Sequence, residues 1–496
     1  MPTLPHGPEW DFELIERYDA AIAETAAQFG LDTYPNQIEI IGSEQMLDAY
    51  ASAGLPLGYP HWSYGKAFIA NEQAYRKGYQ GLAYEIVINS DPCIAYLMEE
   101  NTMTMQALVI AHASYGHNSF FKSNYLFRQF TQADAILDYL VFARRYIMDC
   151  EERHGVAAVE ELIDSCHALQ EYGVDRYKRP APLSARAQEA RRSERAEVER
   201  QLYNDLWRTI PKTPQDSATP EQRGFPGEPE ENILYFVEKH SPRLAPWQRE
   251  VVRIVRKLSQ YFYPQVQTKV MNEGWATFWH YTLLNRMYDE KKVDDAFMLE
   301  FLHSHTNVVT QRGFDQQGYH GINPYALGFA MMSDIRRICE NPTAEDREWF
   351  PEFAGGDWLK VLDFAMRNFK DESFIAQYLS PKLIRDFRLF AISDKSSEPE
   401  LEVDSIHDER GYRRVRRTLA DQYKRENRLP DIQVARYERD GDRSLTLRHN
   451  LFRGRPLHET ETDEVMRHLG RLWGFEVRVE TVDSDGKVHS TRDWRP

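Results

Sequence analysis

The sequence predicts an α+β chain that is mainly α. A large helical domain spans residues 1–392 and a small α-β-β-α-β domain spans 403–496. Three observations predict this. Apolar residues recur at helical spacing through most of the first part. The period changes after Ser393–Glu402, a stretch rich in Ser, Asp and Glu. The length, 496 residues, exceeds what one hydrophobic core organises, so more than one domain is expected.

The elements follow in order. Trp10, Leu14, Ile15, Tyr18, Ile22, Ala26 and Phe29 place a helix over about 9–30. A second helix starts near Ser43 and stops by Gly54, with Pro56, Gly58 and Pro60 beyond it. Tyr59–Lys66 reads as an aromatic loop that could wall a cleft. Leu82–Ile88 is rich in strand formers and is closed by Asn89-Ser90-Asp91-Pro92. From Ile94 to Tyr115 the apolar pattern reads as a helix ending at Gly116. Helical patterns continue over about 132–206. Within 184–231, Ser184–Asn204 is a charged helix with a solvated face, and the Pro-rich remainder reads as a linker or extended surface loop. Helix resumes at Pro246, a first-turn proline, and another helix covers roughly 264–289. In the last domain a basic helix near 408–426 precedes strands at 432–438 and 444–450. A helix at 460–473, a strand at 475–482 and a turn at Asp485-Gly486 complete it.

Composition excludes several function classes. The net charge of -16 argues against general nucleic-acid binding and against docking on an anionic membrane. The four Cys are scattered without a CxxC pair, which argues against a disulfide scaffold or a Cys-based zinc module. Met1–Trp10 lacks a basic region followed by an apolar run, and no apolar run is long enough to span a bilayer. A cytoplasmic protein is therefore expected. Neither a phosphate-cradling Gly-Lys-Ser/Thr loop nor a GxSxG elbow is present.

The informative stretch is Asn272–His280. Seven residues at ~100° each come round almost two turns, so Glu273 and His280 share one helix face beside Trp275, Phe278 and Trp279. A carboxylate in such apolar surroundings calls for a metal, a cation or a proton. Upstream, His112 and His117 lie in His112–Phe121. Two His and one carboxylate are the usual parts of a three-ligand metal site. The plainer alternative is a hydrogen-bonded Glu273–His280 pair and satisfied core histidines. The spacing from His112 to His117 also matters, because five residues set them about 140° apart on a regular helix. Gly116 breaking the helix, or a π-bulge, would bring His117 round.

These residues carry a resemblance. Tyr84–Asn89, Asn101-Thr102, His112–Phe121, Pro246–Glu250, Tyr261–Gln265, Met271–His280 and Ile322–Gly328 resemble the SpoVR family over nearly the whole chain. The resemblance implies a sporulation context in spore formers and a stationary-phase or stress context elsewhere in bacteria. It also implies a PrkA-type serine protein kinase and a von Willebrand-like protein as partners. Glu273-Gly274-Trp275-Ala276 further resembles a motif of zinc-dependent peptidases, and His112 with Gly116-His117 echoes their His-Glu…Gly-His segment. That likeness implies a zincin-like domain with His112, His117 and Glu273 as ligands of a divalent metal, zinc first. Ala113 stands where those enzymes carry the general-base Glu. His280, as base or outer partner, is the first substitute. Glu85 is next, and Glu99 and Glu100 follow. A third group, His303, His305 and the Gly318–Tyr325 loop, could supply an oxyanion partner such as Tyr325. Two readings stand: a metal-dependent hydrolase acting on an amide of a peptide or cell-wall-related material, and a non-catalytic adaptor in a kinase-linked stress pathway.

Overall fold

The computed structural model describes residues 3–51, 58–59, 61–63, 85–177, 225–226, 228–313, 316, 319, 321–389, 391–393, 402–404, 408–452 and 454–496. The charged helix at Ser184–Asn204 and most of the Pro-rich segment lie outside them, as do Tyr64–Lys66 of the aromatic loop.

The chain divides into two compact units, Met1–Glu160 with Tyr261–Leu429, and Glu161–Gln260 with Pro430–Pro496. This differs from the expected split. The basic helix grouped with the C-terminal domain belongs to the first unit, and residues 161–260 belong to the second. Among the described residues, no helix is long and apolar enough to cross a membrane.

The first elements are α1 (Phe12–Gln28), β1 (Asn36–Ile41), α2 (Ser43–Ala51), β2 (Glu85–Ile88) and β3 (Cys93–Met98). β3 is the middle of a three-stranded sheet, parallel to β1 and antiparallel to β2. This corrects the single helix expected from Ile94 to Tyr115. Cys93–Met98 is an apolar run with both faces packed, and such a run lacks the alternation that marks a half-exposed strand. The helix begins later, at α3 (Met103–Ile110), where Thr102 caps it by accepting the Met105 N–H. It then widens into a π-helical turn, Ala111–His117, before α4 (Asn118–Ser123) and α5 (Tyr125–Phe130). Next come α6 (Ile136–His154) and α7 (Val156–His167).

In the second unit lie α8 (Ile233–His240) and most of α9 (Pro246–Gln267). The first unit resumes with α10 (Lys269–Asp289), α11 (Asp295–Val308), α12 (Pro324–Glu340), α13 (Ala344–Trp349), α14 (Trp358–Asn368), α15 (Asp371–Tyr378) and α16 (Pro381–Asp386). β4 (Ala391–Ser393), β5 (Glu402–Asp404), α17 (Glu409–Gln422) and α18 (Arg425–Arg428) complete it. The second unit ends with β6 (Asp431–Tyr437), β7 (Leu445–Asn450), α19 (Glu459–Trp473), β8 (Val477–Val482) and β9 (Val488–Trp494), which form one sheet in that order of strands. β9 has no counterpart in the expected pattern. It is an edge strand of mostly exposed polar residues, so no apolar alternation announces it.

The first core is organised around α10. Trp275 and Trp279 pack edge to face, Phe278 meets Trp279, and all three are buried. The N-terminus of α10 is fixed from a distance. Asp371, 2 % exposed, accepts the Val270 and Met271 N–H groups at 2.9 Å each. A carboxylate there satisfies orphan donors and complements the helix dipole.

Two glycine contacts set the spacing of the helices. A Cβ on Gly116 would stand 2.5 Å from Ala276 Cα, and a Cβ on Gly274 would overlap the backbone of Gly328. The π-helical turn and α12 thus approach α10 backbone to backbone. Gly274→Ala would gain at most ~1 kcal/mol of helix propensity. The overpacking it forces costs about 1–3 kcal/mol. We expect a net loss of stability in urea denaturation of the full chain, and an unchanged or raised midpoint would contradict the close packing.

Candidate metal centre

The π-helical turn solves the spacing problem. Its i→i+5 bonding brings residues five apart onto one face. His112 and His117 accordingly meet, with ring centroids 4.6 Å apart and planes at 88°. Both are buried, at 4 % and 7 % exposure. Gly116 permits the contact with Ala276 that holds the turn against α10.

Two carboxylates face the pair. Glu273 comes from α10: its Oε2 lies 3.8 Å from His112 Nε2 and 3.5 Å from His117 Nε2. Glu85, the first residue of β2, places Oε1 3.3 Å from His112 Nε2. Glu85, His112 and His117 offer ligand atoms close enough together to share one ion. The Oε2 atoms of both glutamates are buried and take no hydrogen bond. Such an orphaned carboxylate oxygen is costly unless a cation or proton satisfies it. Each glutamate side chain still keeps 18 % of its surface exposed, so the centre is not sealed.

The distances suit a metal. They exceed the usual 2.7–3.2 Å of an N–H···O bond. Donors ~2.1 Å from a tetrahedral ion stand roughly 3.4 Å from one another. The separations of 3.3, 3.5 and 3.8 Å bracket that value.

Behind the donors stands a second set of residues. His117 Nδ1 pairs with Asn272 Oδ1 at 2.9 Å. A carbonyl oxygen only accepts, so Nδ1 carries the proton and Nε2 presents its lone pair to the centre. His112 Nδ1 pairs with His280 Nδ1 at 2.9 Å, and His280 Nε2 pairs with His305 Nδ1 at 2.8 Å. Tyr325, at the start of α12, stacks beside His112 with centroids 6.4 Å apart and helps to hold the Glu273 carboxyl low.

The electrostatics split the two carboxyls. Burial pushes Glu85 up to about 7, with the Glu273 charge adding and His112 opposing. Burial pushes Glu273 the same way, but His112, His117 and Tyr325 outweigh it and hold the carboxyl below its ordinary value. Burial also lowers His112, yet Glu85 and Glu273 lift it above the ordinary imidazole value. Burial takes His117 down to about 4.

The structure therefore brings together His112, His117, Glu273, Glu85 and Tyr325. It sets His280 behind His112, with both ring nitrogens committed to other histidines and no exposed surface. Of the two roles considered for His280, base or outer partner, this geometry fits the outer partner and corrects its placement as base. The reason is the helix periodicity: His280 shares the Glu273 face but lies nearly two turns along it. Glu99 and Glu100 are exposed. His303 is exposed and pairs with Asn307, whereas His305, on the same helix α11, is buried. Gly318 and His320 lie outside the described residues. Asn272 was passed over, although it directly precedes Glu273. Its role follows only from His117 facing it across 155 residues of chain.

Comparison with known proteins agrees in extent with the resemblance. The family model described as SpoVR like protein matches residues 9–428, and the SpoVR-like C-terminal domain matches residues 430–484. A protein of Escherichia coli (strain K12) named "Uncharacterized protein YcgB" is 59 % identical over 485 residues, covering 98 % of this chain and 95 % of that protein. No solved structure matches, so the expected zincin-like architecture has no structural relative behind it.

Asn272→Leu keeps the volume and removes the acceptor that fixes the His117 tautomer. Loss of such an outer partner typically lowers metal affinity ~10–100-fold. We expect that loss in a zinc titration against a chromophoric chelator, with folding unchanged by circular dichroism. Wild-type affinity in the variant would refute the assigned tautomer.

Proposed function

The chain belongs to the SpoVR family, and we propose that it is a metal-dependent hydrolase of amide bonds, with zinc held by His112, His117 and Glu273. One observation carries this reading. Two buried histidines and two half-buried glutamates from three elements face one another at 3.3, 3.5 and 3.8 Å, separations suited to a tetrahedral ion and longer than usual hydrogen bonds.

Bound there, a divalent ion would supply Lewis-acid polarisation and a water whose pKa falls to ~7. The chain's own residues do the rest. His117, locked by Asn272, presents a neutral Nε2 lone pair, and His112, backed by His280, would bind through its Nε2. Glu273, the carboxyl held low, serves as the anionic ligand. Glu85 has an unpartnered oxygen at the same centre and the higher pKa of the pair. Two carboxyls driven apart in this way are the mark of an acid–base division of labour. Glu85 takes the proton of the attacking water and returns it to the leaving amine, the task that Ala113 cannot perform. Tyr325, which helps to hold the Glu273 carboxyl low, orients that carboxylate. The substrate class consistent with this chemistry is a peptide or a cell-wall-related amide.

Plasma mass spectrometry of purified protein tests the ligand set. We expect about one zinc per chain, lost in His112→Ala and Glu273→Ala with folding retained. Glu85→Gln should keep the zinc and lose at least ~100-fold in amide hydrolysis. Well-folded protein without metal would sink the reading. Stoichiometric iron instead of zinc would keep the ligands and overturn hydrolysis, because two His and one carboxylate also suit non-haem iron.

A further inference from the structure

The helix α6 has two faces. Ile136, Leu140, Ala143, Ile147 and Cys150 are buried and form the inner one. At ~100° per residue, Val141, Arg145, Met148 and Glu152 fall within about 60° of one another on the opposite side. Val141 is 57 % exposed and Met148 46 %. Phe142, beside this row, is 45 % exposed and stands in a column with Tyr139 and Tyr146, whose ring centroids lie 5.9 and 5.8 Å away. Exposed apolar side chains gathered on one face and rimmed by charges mark an interaction surface. Among the described residues, the row and its neighbours Arg144 and Asp149 line one open groove.

Two properties of the row say what fits it. The first is spacing. Positions 141, 145, 148 and 152 advance by four, three and four residues, the seam of a two-helix coiled coil. The second is charge. Arg144 and Arg145 lie in the N-terminal half of the row, and Asp149 and Glu152 lie in the C-terminal half. None of these four side chains has a hydrogen-bond or ion-pair partner among the described residues. A partner helix must therefore offer acid against the first half and base against the second. The same helix turned end for end does so. With the two-fold axis between Tyr146 and Ile147, Arg145 of one copy meets Met148 of the other, and Val141 meets Glu152. Arg145 then stands ~6 Å along the axis from Glu152 of the second copy, within reach of its long side chain. Parallel pairing would instead set Arg145 on Arg145 and Glu152 on Glu152, like charge on like.

We propose that α6 is a self-association surface, on which two copies of this chain pair antiparallel through Val141, Arg145, Met148 and Glu152. The contact is one helix long, ~28 Å, so the dimer is weak and reversible. None of these residues belongs to the candidate metal centre, and the pairing does not depend on the ligand set proposed above.

Sedimentation velocity of the full chain, over a series from low to high micromolar concentration, reads the association directly. We expect a monomer–dimer equilibrium with the dimer gaining as concentration rises. Arg145→Glu and Glu152→Arg, both at exposed positions, each bring like charges together across the contact. Each should weaken the dimer at least ~10-fold, with the circular dichroism spectrum unchanged. An equal mixture of the two variants should regain the dimer, because the two substituted positions then complement each other. A wild-type chain that stays monomeric throughout the series would overturn the proposal. A dimer that neither substitution weakens would place the contact elsewhere and overturn it too. A mixture that remains as monomeric as its two components would overturn the antiparallel pairing.

Discussion

The closeness of three backbones holds the first unit's centre together. Gly116 rests on Ala276, and Gly274 rests on Gly328, with no side chain between them. Larger residues at these contacts would force the π-helical turn or α12 away from α10. The donor separations near 3.5 Å could not survive such a shift, because a metal bond near 2 Å tolerates only ~0.2 Å of error. The small residues also explain why Glu273 can enter an aromatic core. Its helix presents bulk on one side, with Trp275, Phe278 and Trp279, and almost none on the other. The carboxylate occupies the side where the neighbouring backbones come closest.

The π-helical turn is the second dependency. An α-helical Ala111–His117 would leave one imidazole pointing away from Glu273. The wider turn costs hydrogen-bond geometry, and it is supported from outside. Trp275 Nε1 donates to Ser119 Oγ, which donates in turn to the Gly116 carbonyl, both at 2.9 Å. The same helix that supplies the carboxylate therefore braces the irregular turn that supplies the histidines. Helix irregularities of this kind gather at functional sites because packing elsewhere holds them in place.

Much of this was legible in the sequence, and the limits are physical. His112, His117 and Glu273 could be named because ligand types and helical periodicity are local properties. Their incompatible spacing even pointed to the remedy, a broken or widened helix at Gly116. What remained hidden depends on pairs far apart in the chain. Glu85 could be named as a base candidate, but its place beside His112 rests on the register of β2 on β3, where it sits opposite Leu97. Asn272 gains its meaning from His117, and Asp371 from the start of α10, 100 residues earlier. β3 was misread because a run buried on both faces has no period to distinguish strand from helix. β9 was missed for the opposite reason, having almost no buried residues. The placement of His280 failed on a subtler point. Sharing a helix face does not mean sharing a site, since two turns of helix put ~10 Å between the backbones.

Charge sets what the four side chains require. With both carboxyls ionised and both imidazoles neutral, Glu85, Glu273, His112 and His117 carry two negative charges in a largely buried space. A low-dielectric interior does not hold that uncompensated. A divalent cation held by His112, His117 and Glu273, with Glu85 beside it, would cancel it in one step. Protons are the other compensation, and the pKa directions show where they go. Glu85 rises to about 7 and His112 rises above its ordinary value, while Glu273 stays ionised. The groups that gain protons most readily are thus Glu85 and His112, neighbours at 3.3 Å. His117 does not join them, since Asn272 fixes its tautomer and burial keeps it neutral. The centre therefore has a fixed half, His117 with Glu273, and a half, Glu85 with His112, that gains protons more readily. The fixed half depends on Gly116 and Gly274, and the other half is backed by His280, whose Nδ1 pairs with His112 Nδ1.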